Sequence, residues 1–254
     1  MTFEHRYLIP DWPAPARVKA CVTRRSGGVS KGNFSSFNLG MRSGDVPEHV
    51  LANRQQMRED FGWSIEPQWL NQVHGTQVVK ASDSGEEQEG DAAWTDADGM
   101  PCTVLTADCL PVLFCDRKGS TVAAAHAGWK GLQAGVLENT LKAMPCPVSE
   151  VMVWLGPAIS QKHFEVGPEV RSAFLDIDPE AEAAFIPGMG DRWHGDLYLL
   201  ARQRLSAAGV TDIFGGGYCT FEQQQTFFSY RRDGKESGRL ASVIWLEKID
   251  PVAI

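Results

Sequence analysis

The sequence predicts an α+β fold in one domain over residues 1–254, with mixed β-sheets flanked by helices in α/β/β/α layers. Two observations lead there. Short runs rich in Val, Thr and aromatic residues crowd the first half and return at the end, whereas helical periodicity is concentrated between them. These runs do not follow the strict strand–helix alternation of a doubly wound parallel sheet.

In chain order, Val18–Val22, Trp69–Val73 and Gln77–Ala81 read as strands, as do Thr103–Thr106, Val112–Cys115 and Thr121–Ala125. Between the first two, Pro47–Phe61 reads as a helix: Pro47 suits the first turn, and Val50, Leu51, Met57 and Phe61 form an apolar face. Ser82–Gly90 is polar and acidic and reads as an exposed loop. Gly131–Met144, ended by Pro145, is predicted to be helical, followed by Gly167–Leu175 and Asp196–Ala208. Val210–Phe214, Thr226–Tyr230 and Ser242–Leu246 are the closing strands.

At 254 residues, with 43% apolar and 22% charged residues, the chain can bury a full core without covalent staples. Its net charge of −8 argues against general binding of phosphate backbones, while leaving room for a local pocket for one small anion. Six cysteines without a Cys-x-x-Cys pair fit neither a disulfide scaffold nor a zinc ribbon. The first residues lack the apolar core of a signal peptide, and no apolar run reaches the roughly 18 residues of a membrane span. The expected compartment is a reducing cytoplasm; monomer and dimer are both open.

Histidine is scarce, with six in the chain. His74 ends the expected strand in Asn71-Gln-Val-His74-Gly75, and His126 ends the apolar run Thr121-Val-Ala-Ala-Ala-His126. Cys109 follows another strand, in Thr106-Ala-Asp-Cys109-Leu-Pro111. Strand ends can converge on one sheet edge, and two imidazoles with a thiolate suit Zn²⁺ while leaving a position for water. The pKa of that water would fall toward ~7. The plainer alternative is a small buried Cys and two hydrogen-bonded His, because separations of 35 and 17 residues match no simple ligand rule.

Three blocks, Asn-Gln-Val-His-Gly, Thr-Ala-Asp-Cys-Leu-Pro-Val-Leu-Phe and Ala-Ala-Ala-His-Ala-Gly-Trp-Lys-Gly, resemble signatures of the laccase-domain (YfiH-like) family. Further matches are Arg25-Ser-Gly-Gly-Val-Ser, Phe37-Asn-Leu-Gly40, Trp154-Leu-Gly-Pro-Ala-Ile159, Phe164-Glu-Val-Gly167 and Phe227-Phe-Ser-Tyr-Arg-Arg232. The resemblance runs from about Arg24 to Leu246; it departs at Lys130, where Arg is commoner, and slightly at Gly216-Gly-Tyr-Cys219. It implies that His74, Cys109 and His126 are the metal positions, with zinc expected and copper possible. Family members carry the names polyphenol oxidase, purine nucleoside phosphorylase and peptidoglycan editing factor.

Chemistry arbitrates among those names. A multicopper oxidase needs many His, often as His-x-His, and this chain has six His and no such pair. The resemblance therefore implies a purine nucleoside enzyme: phosphorolysis of adenosine, inosine and 5′-methylthioadenosine, and deamination of adenosine, with nucleosides and phosphate as partners. The His-x-Glu motif of zinc deaminases is absent, since Gly128 holds the second position after His126. Asp108 and Glu165 are the candidate proton carriers, although Asp108 suits a structural turn equally well. Gly128–Gly131 with Lys130 could hold phosphate at a helix N-terminus, or form a plain turn. Arg231 is a second anion candidate beside Arg232, and Arg54 is a third unless it is a surface charge. Phe37 could stack on a purine and Asn38 bond to it, or the loop around them could simply anchor to the core. Two competing classes remain: a cysteine hydrolase or amidase acting on peptidoglycan precursors, with Cys109 as nucleophile and His126 as base, and a structural zinc domain.

Overall fold

The computed structural model describes residues 3–248. Its centre is a six-stranded sheet in the order Asp212–Gly215, Val151–Leu155, Leu110–Asp116, Val122–Ala127, Ala92–Thr95 and Val78–Lys80. The two outermost pairs are parallel and the inner pairs antiparallel. A four-stranded antiparallel sheet orders Tyr7–Leu8, Val18–Thr23, Leu240–Leu246 and Cys102–Thr106.

The layering follows from the two-residue period of a strand, which sends successive side chains to opposite faces. In Leu110–Asp116, Val112 and Phe114 enter one apolar cluster, while Leu113 and Cys115 enter another. The first cluster packs that face against the helices Val136–Ala143, Pro168–Leu175 and Leu197–Ala207. The second lies between the sheets, where Leu113, Ala124 and Trp154 meet Ala20, Val104 and Ile244. On the outer face of the smaller sheet, Cys21, Val243 and Trp245 meet Met57 of the helix Pro47–Phe61. The result is the α/β/β/α order, with strands buried on both faces and therefore apolar nearly throughout.

The helix Pro47–Phe61 has the predicted bounds, and Gly62 closes it in the left-handed conformation at φ 65°. Its buried residues are Val50, Asn53 and Met57, whereas Leu51 is exposed, because a position one residue from Val50 is turned about 100° away. The helix predicted over Gly131–Met144 is two helices, Trp129–Ala134 and Val136–Ala143, broken at Gly135 with φ 102°. The strand expected at Thr226–Tyr230 does not form. The Thr226 and Phe227 N–H groups both donate to the Gln223 carbonyl in a turn, and Ser229 caps a turn of helix at Tyr230–Asp233. Ser82–Gly90 is largely exposed, but Gln88–Glu89 pairs in parallel with Leu70–Asn71.

The Gly/Ser-rich segment 24–40 is tied down by one buried amide. Asn53 accepts from the Val29 N–H and donates to Ser30 Oγ and to the Ser36 and Asn38 carbonyls. Removing it strands several buried polar groups, each costing about 1–3 kcal/mol. Asn53→Ala is expected to lower unfolding free energy by at least that much in urea titration, with the helix content of the native protein unchanged.

Candidate metal centre

Strand register brings the trio together. His126 lies opposite Pro111 across the antiparallel pair, and Cys109 is two residues before Pro111. His74 reaches the same spot from the bend after Leu70–Asn71, at φ 60°. The ligand atoms of His74, Cys109 and His126 all lie within 4.8 Å of one another, and Cys109 Sγ is 3.8 Å from His74 Nε2. Tetrahedral zinc, with bonds of about 2.0–2.3 Å, wants its donors roughly 3.3–3.8 Å apart. Two imidazoles and a thiolate at this spacing suit Zn²⁺, and three protein donors leave a position for a substrate atom.

Asp91, fully buried, positions both histidines. Its Oδ1 is 2.8 Å from His126 Nδ1 and accepts from the His74 N–H, while Oδ2 accepts from the Val73 and Gly75 N–H groups. The Asp91 carbonyl also accepts from the His126 N–H at 2.7 Å. The carboxylate thus selects the Nδ1–H tautomer of His126 and clamps the His74 turn. Asp91 follows directly on the acidic loop, and its one distinguishing mark in the sequence is its place just before the apolar run Ala92–Thr95.

Electrostatics favour the ligand-competent thiolate. Burial alone raises a thiol, but the charges of His126 and His74 and their hydrogen bonds bring Cys109 down to about 6. Burial opposes the charge on His126 as well, yet Cys109 and Asp91 raise it to about 9. The Asp91 carboxylate is held below its usual range despite burial by His126 and the Gly75 and Val73 N–H groups. Gly128 is required by close approach: a Cβ there would lie 2.7 Å from the His74 ring and 3.1 Å from Cys109 Sγ.

Asp108 presents Cys109 from a strained backbone, at φ 85°. Its Oδ1 accepts from Thr220 Oγ1 at 2.6 Å, and its Oδ2 from Ser229 Oγ and the Arg231 N–H. These three contacts make Asp108 a brace for the turn, and it also lines the cleft. Glu165 is exposed and lies outside the cleft lining.

The trio opens into a cleft of about 550 Å³, a volume ordinary for a small-molecule site. Arg54 and Arg231 line it. Arg54 stacks on Trp69 at 3.7 Å, donates to the Leu39 carbonyl, and keeps one buried guanidinium nitrogen without a hydrogen-bond partner among the described residues. Burial lowers its pKa to about 10, so it stays charged at neutral pH. Arg231 reaches the His163 and Glu165 carbonyls. Arg239, Trp129, Phe164 and Tyr230 also face the cleft, and no sequence signal singled out Arg239.

Three expected contacts do not reach it. Phe37 is fully buried in the core cluster under Pro47–Phe61, so it has no free face for a base. Asn38 is also fully buried, and its amide is spent on Ser43, Asp45, Gly40 and Arg239. Lys130 points to solvent, 5.7 Å from the Trp129 ring, and the helix is packed so tightly at the next residue that a Cβ at Gly131 would meet the Gly75 carbonyl at 2.7 Å.

Fold and site define a one-domain α+β protein with a His₂Cys metal-type centre at a sheet edge. The sequence model of the multi-copper polyphenol oxidoreductase laccase family matches residues 19–247, and the chain belongs to that family. It is 53% identical over 242 residues to a purine nucleoside phosphorylase of Pseudomonas aeruginosa, covering 95% of this chain and 98% of the relative. The Escherichia coli purine nucleoside phosphorylase YfiH is 50% identical over 244 residues, at 95% and 99% coverage. Among solved structures, a Neisseria meningitidis protein of the DUF152 family superposes with TM-score 0.92 at 51% identity, covering 96% of this chain and 100% of that one. YlmD of Geobacillus stearothermophilus superposes with TM-score 0.92 at 28% identity, covering 98% of each.

Two outcomes follow from the carboxylate clamp and the lowered thiol. Asp91→Asn is expected to weaken Zn²⁺ binding about 10–100-fold, measured by competition with a chromogenic chelator. In metal-free protein, Cys109 alkylation by iodoacetamide should be near its plateau at pH 7 and fall as pH drops through about 6, since only the thiolate reacts. A midpoint near that of an ordinary thiol would refute the electrostatic account.

Proposed function

We propose that this protein is a Zn²⁺-dependent purine nucleoside phosphorylase acting on adenosine, inosine and 5′-methylthioadenosine, and that it also deaminates adenosine to inosine. The observation that carries the reading is the union, in one cleft, of the His74–Cys109–His126 trio with the unpartnered, buried nitrogen of Arg54. The names of the relatives support it, and so does a cleft volume suited to a nucleoside.

When bound, Zn²⁺ supplies Lewis-acid activation of a substrate oxygen. The chain's own residues bind and orient. Arg54 offers a rigid, charged donor to a phosphate oxygen, and Arg231 and Arg239 add positive charge on the same cleft. Trp129, Phe164 and Tyr230 give apolar faces for a purine ring. In phosphorolysis a phosphate oxygen bonds the ribose carbon as the carbon–nitrogen bond breaks, and the purine leaves with the electron pair and gains a proton.

Multicopper chemistry fits less well. Of the six histidines, only His74 and His126 line the cleft. A second reading, a cysteine hydrolase or amidase, draws on the Asp91–His126 pair at 2.8 Å beside the lowered Cys109 thiol, an arrangement of nucleophile, base and orienting carboxylate. The two separate by their response to metal: zinc should support turnover in the first and block the sulfur in the second.

Incubated with adenosine and phosphate, the zinc-loaded protein should release adenine and ribose-1-phosphate. His74→Ala should reduce kcat by more than about a hundredfold, the scale of losing an electrostatic stabiliser. Arg54→Met should raise KM for phosphate about ten- to a hundredfold, as loss of a charge-assisted hydrogen bond costs about 1.5–3 kcal/mol. Absence of both adenine and inosine would sink the assignment.

A further inference from the structure

Beside the cleft, a second group of metal-competent side chains converges. The ligand atoms of His163, Cys219 and Glu222 all lie within 4.8 Å of one another. They come from two loops far apart in sequence: the 3₁₀ turn Gln161–His163 and the turn that follows Tyr218. The proposed nucleoside chemistry does not use them.

The group is pre-organised. The His163 ring stacks on Phe221 at 4.4 Å with 18° between planes, and its Nε2 is 2.9 Å from Glu222 Oε1. Gln223 clasps the Cys219 turn from both ends: its Oε1 accepts from the Cys219 N–H, and its N–H donates to the Cys219 carbonyl. Cys219 Sγ accepts from Ser160 Oγ at 3.1 Å and, at 3.5 Å, from the Glu222 N–H. These contacts fix the direction in which the sulfur points. The sulfur itself is nearly buried, while His163 and Glu222 reach solvent, so an ion has a path in.

We propose that His163, Cys219 and Glu222 form a second divalent-metal site, of the zinc class. Imidazole, thiolate and carboxylate together suit Zn²⁺, whereas Mg²⁺ and Ca²⁺ prefer an all-oxygen shell. Their spacing needs only about 1 Å of closure to reach the roughly 3.3–3.8 Å between donors of a tetrahedral ion, and water completes the shell. Binding releases the thiol proton to solvent. It also displaces Lys162, whose ammonium lies 2.8 Å from Glu222 Oε1 on a side chain 74% exposed and free to swing away.

The site would act on the cleft by tying its wall. His163 precedes Phe164, which lines the cleft, and the His163 carbonyl accepts from the Arg231 guanidinium. An ion here cross-links that wall to the Cys219–Glu222 turn, a structural role separate from the trio around Cys109.

The test uses Co²⁺, which absorbs by charge transfer only when bound to thiolate. In the full-length Cys109→Ser protein, which lacks the cleft thiol, titration with Co²⁺ should produce this band at one equivalent, and Zn²⁺ should displace it. The band should vanish in Cys109→Ser/Cys219→Ser, and His163→Asn or Glu222→Gln in the Cys109→Ser background should weaken binding by about tenfold or more. The last two changes sit at solvent-reaching side chains, so they keep the test decisive if the double cysteine variant misfolds. A Cys109→Ser protein with no thiolate band, or a band indifferent to His163 and Glu222, would overturn the proposal.

Discussion

The buried carboxylate of Asp91 is the constraint on which the site depends. It bonds the His126 imidazole and three successive N–H groups of the Val73–Gly75 bend, so one group sets the angle of two histidines that are 52 residues apart in a 254-residue chain. Such a group cannot be left in an apolar interior without partners, because burying an unpaired carboxylate is very costly. The four partners make its burial tolerable, and in return their geometry is narrow. The left-handed backbone at His74 is one consequence: the turn takes φ 60° so that its N–H groups can converge on one carboxylate.

The third member of the trio, Cys109, is held by a second carboxylate working in the same way. Asp108 anchors the Thr220, Ser229 and Arg231 segments and fixes the residue before Cys109 at φ 85°. Two strained non-glycine residues therefore adjoin or belong to the trio, each over-determined by hydrogen bonds from other parts of the chain. Gly128 completes the arrangement by withholding a side chain where His74 and Cys109 approach. The candidate metal centre is thus a product of hydrogen-bonded loops resting on a rigid two-sheet core, with the sheet register supplying the pairing of Pro111 with His126.

The cleft wall opposite in chemistry to the trio is cationic in an acidic protein. A net charge of −8 disfavours polyanions at long range, yet Arg54, Arg231 and Arg239 gather where a small anion can enter. Arg54 is the best placed, since its ring contact with Trp69 leaves a charged nitrogen in want of an acceptor. The surrounding loop, 24–40, acts indirectly. Phe37 and Asn38 are structural, and the Leu39 carbonyl holds Arg54 in its pose.

Local rules made several things legible from the sequence alone. Short apolar and β-branched runs marked the main strands, the 3.6-residue period marked the helix Pro47–Phe61, and rare blocks marked His74, Cys109 and His126 as metal candidates. One further signal was present but unused: Gly135 breaks a helix that periodicity alone reads as continuous. Tertiary structure alone decided the rest. That Asp91 orients both histidines, that Asp108 is a brace, that Arg239 joins the cleft while Lys130 leaves it, and that His163 meets Cys219 all depend on which strand lies beside which. Periodicity reports the face on which a residue lies; partners distant in sequence are set by register and loop path, which no local pattern encodes.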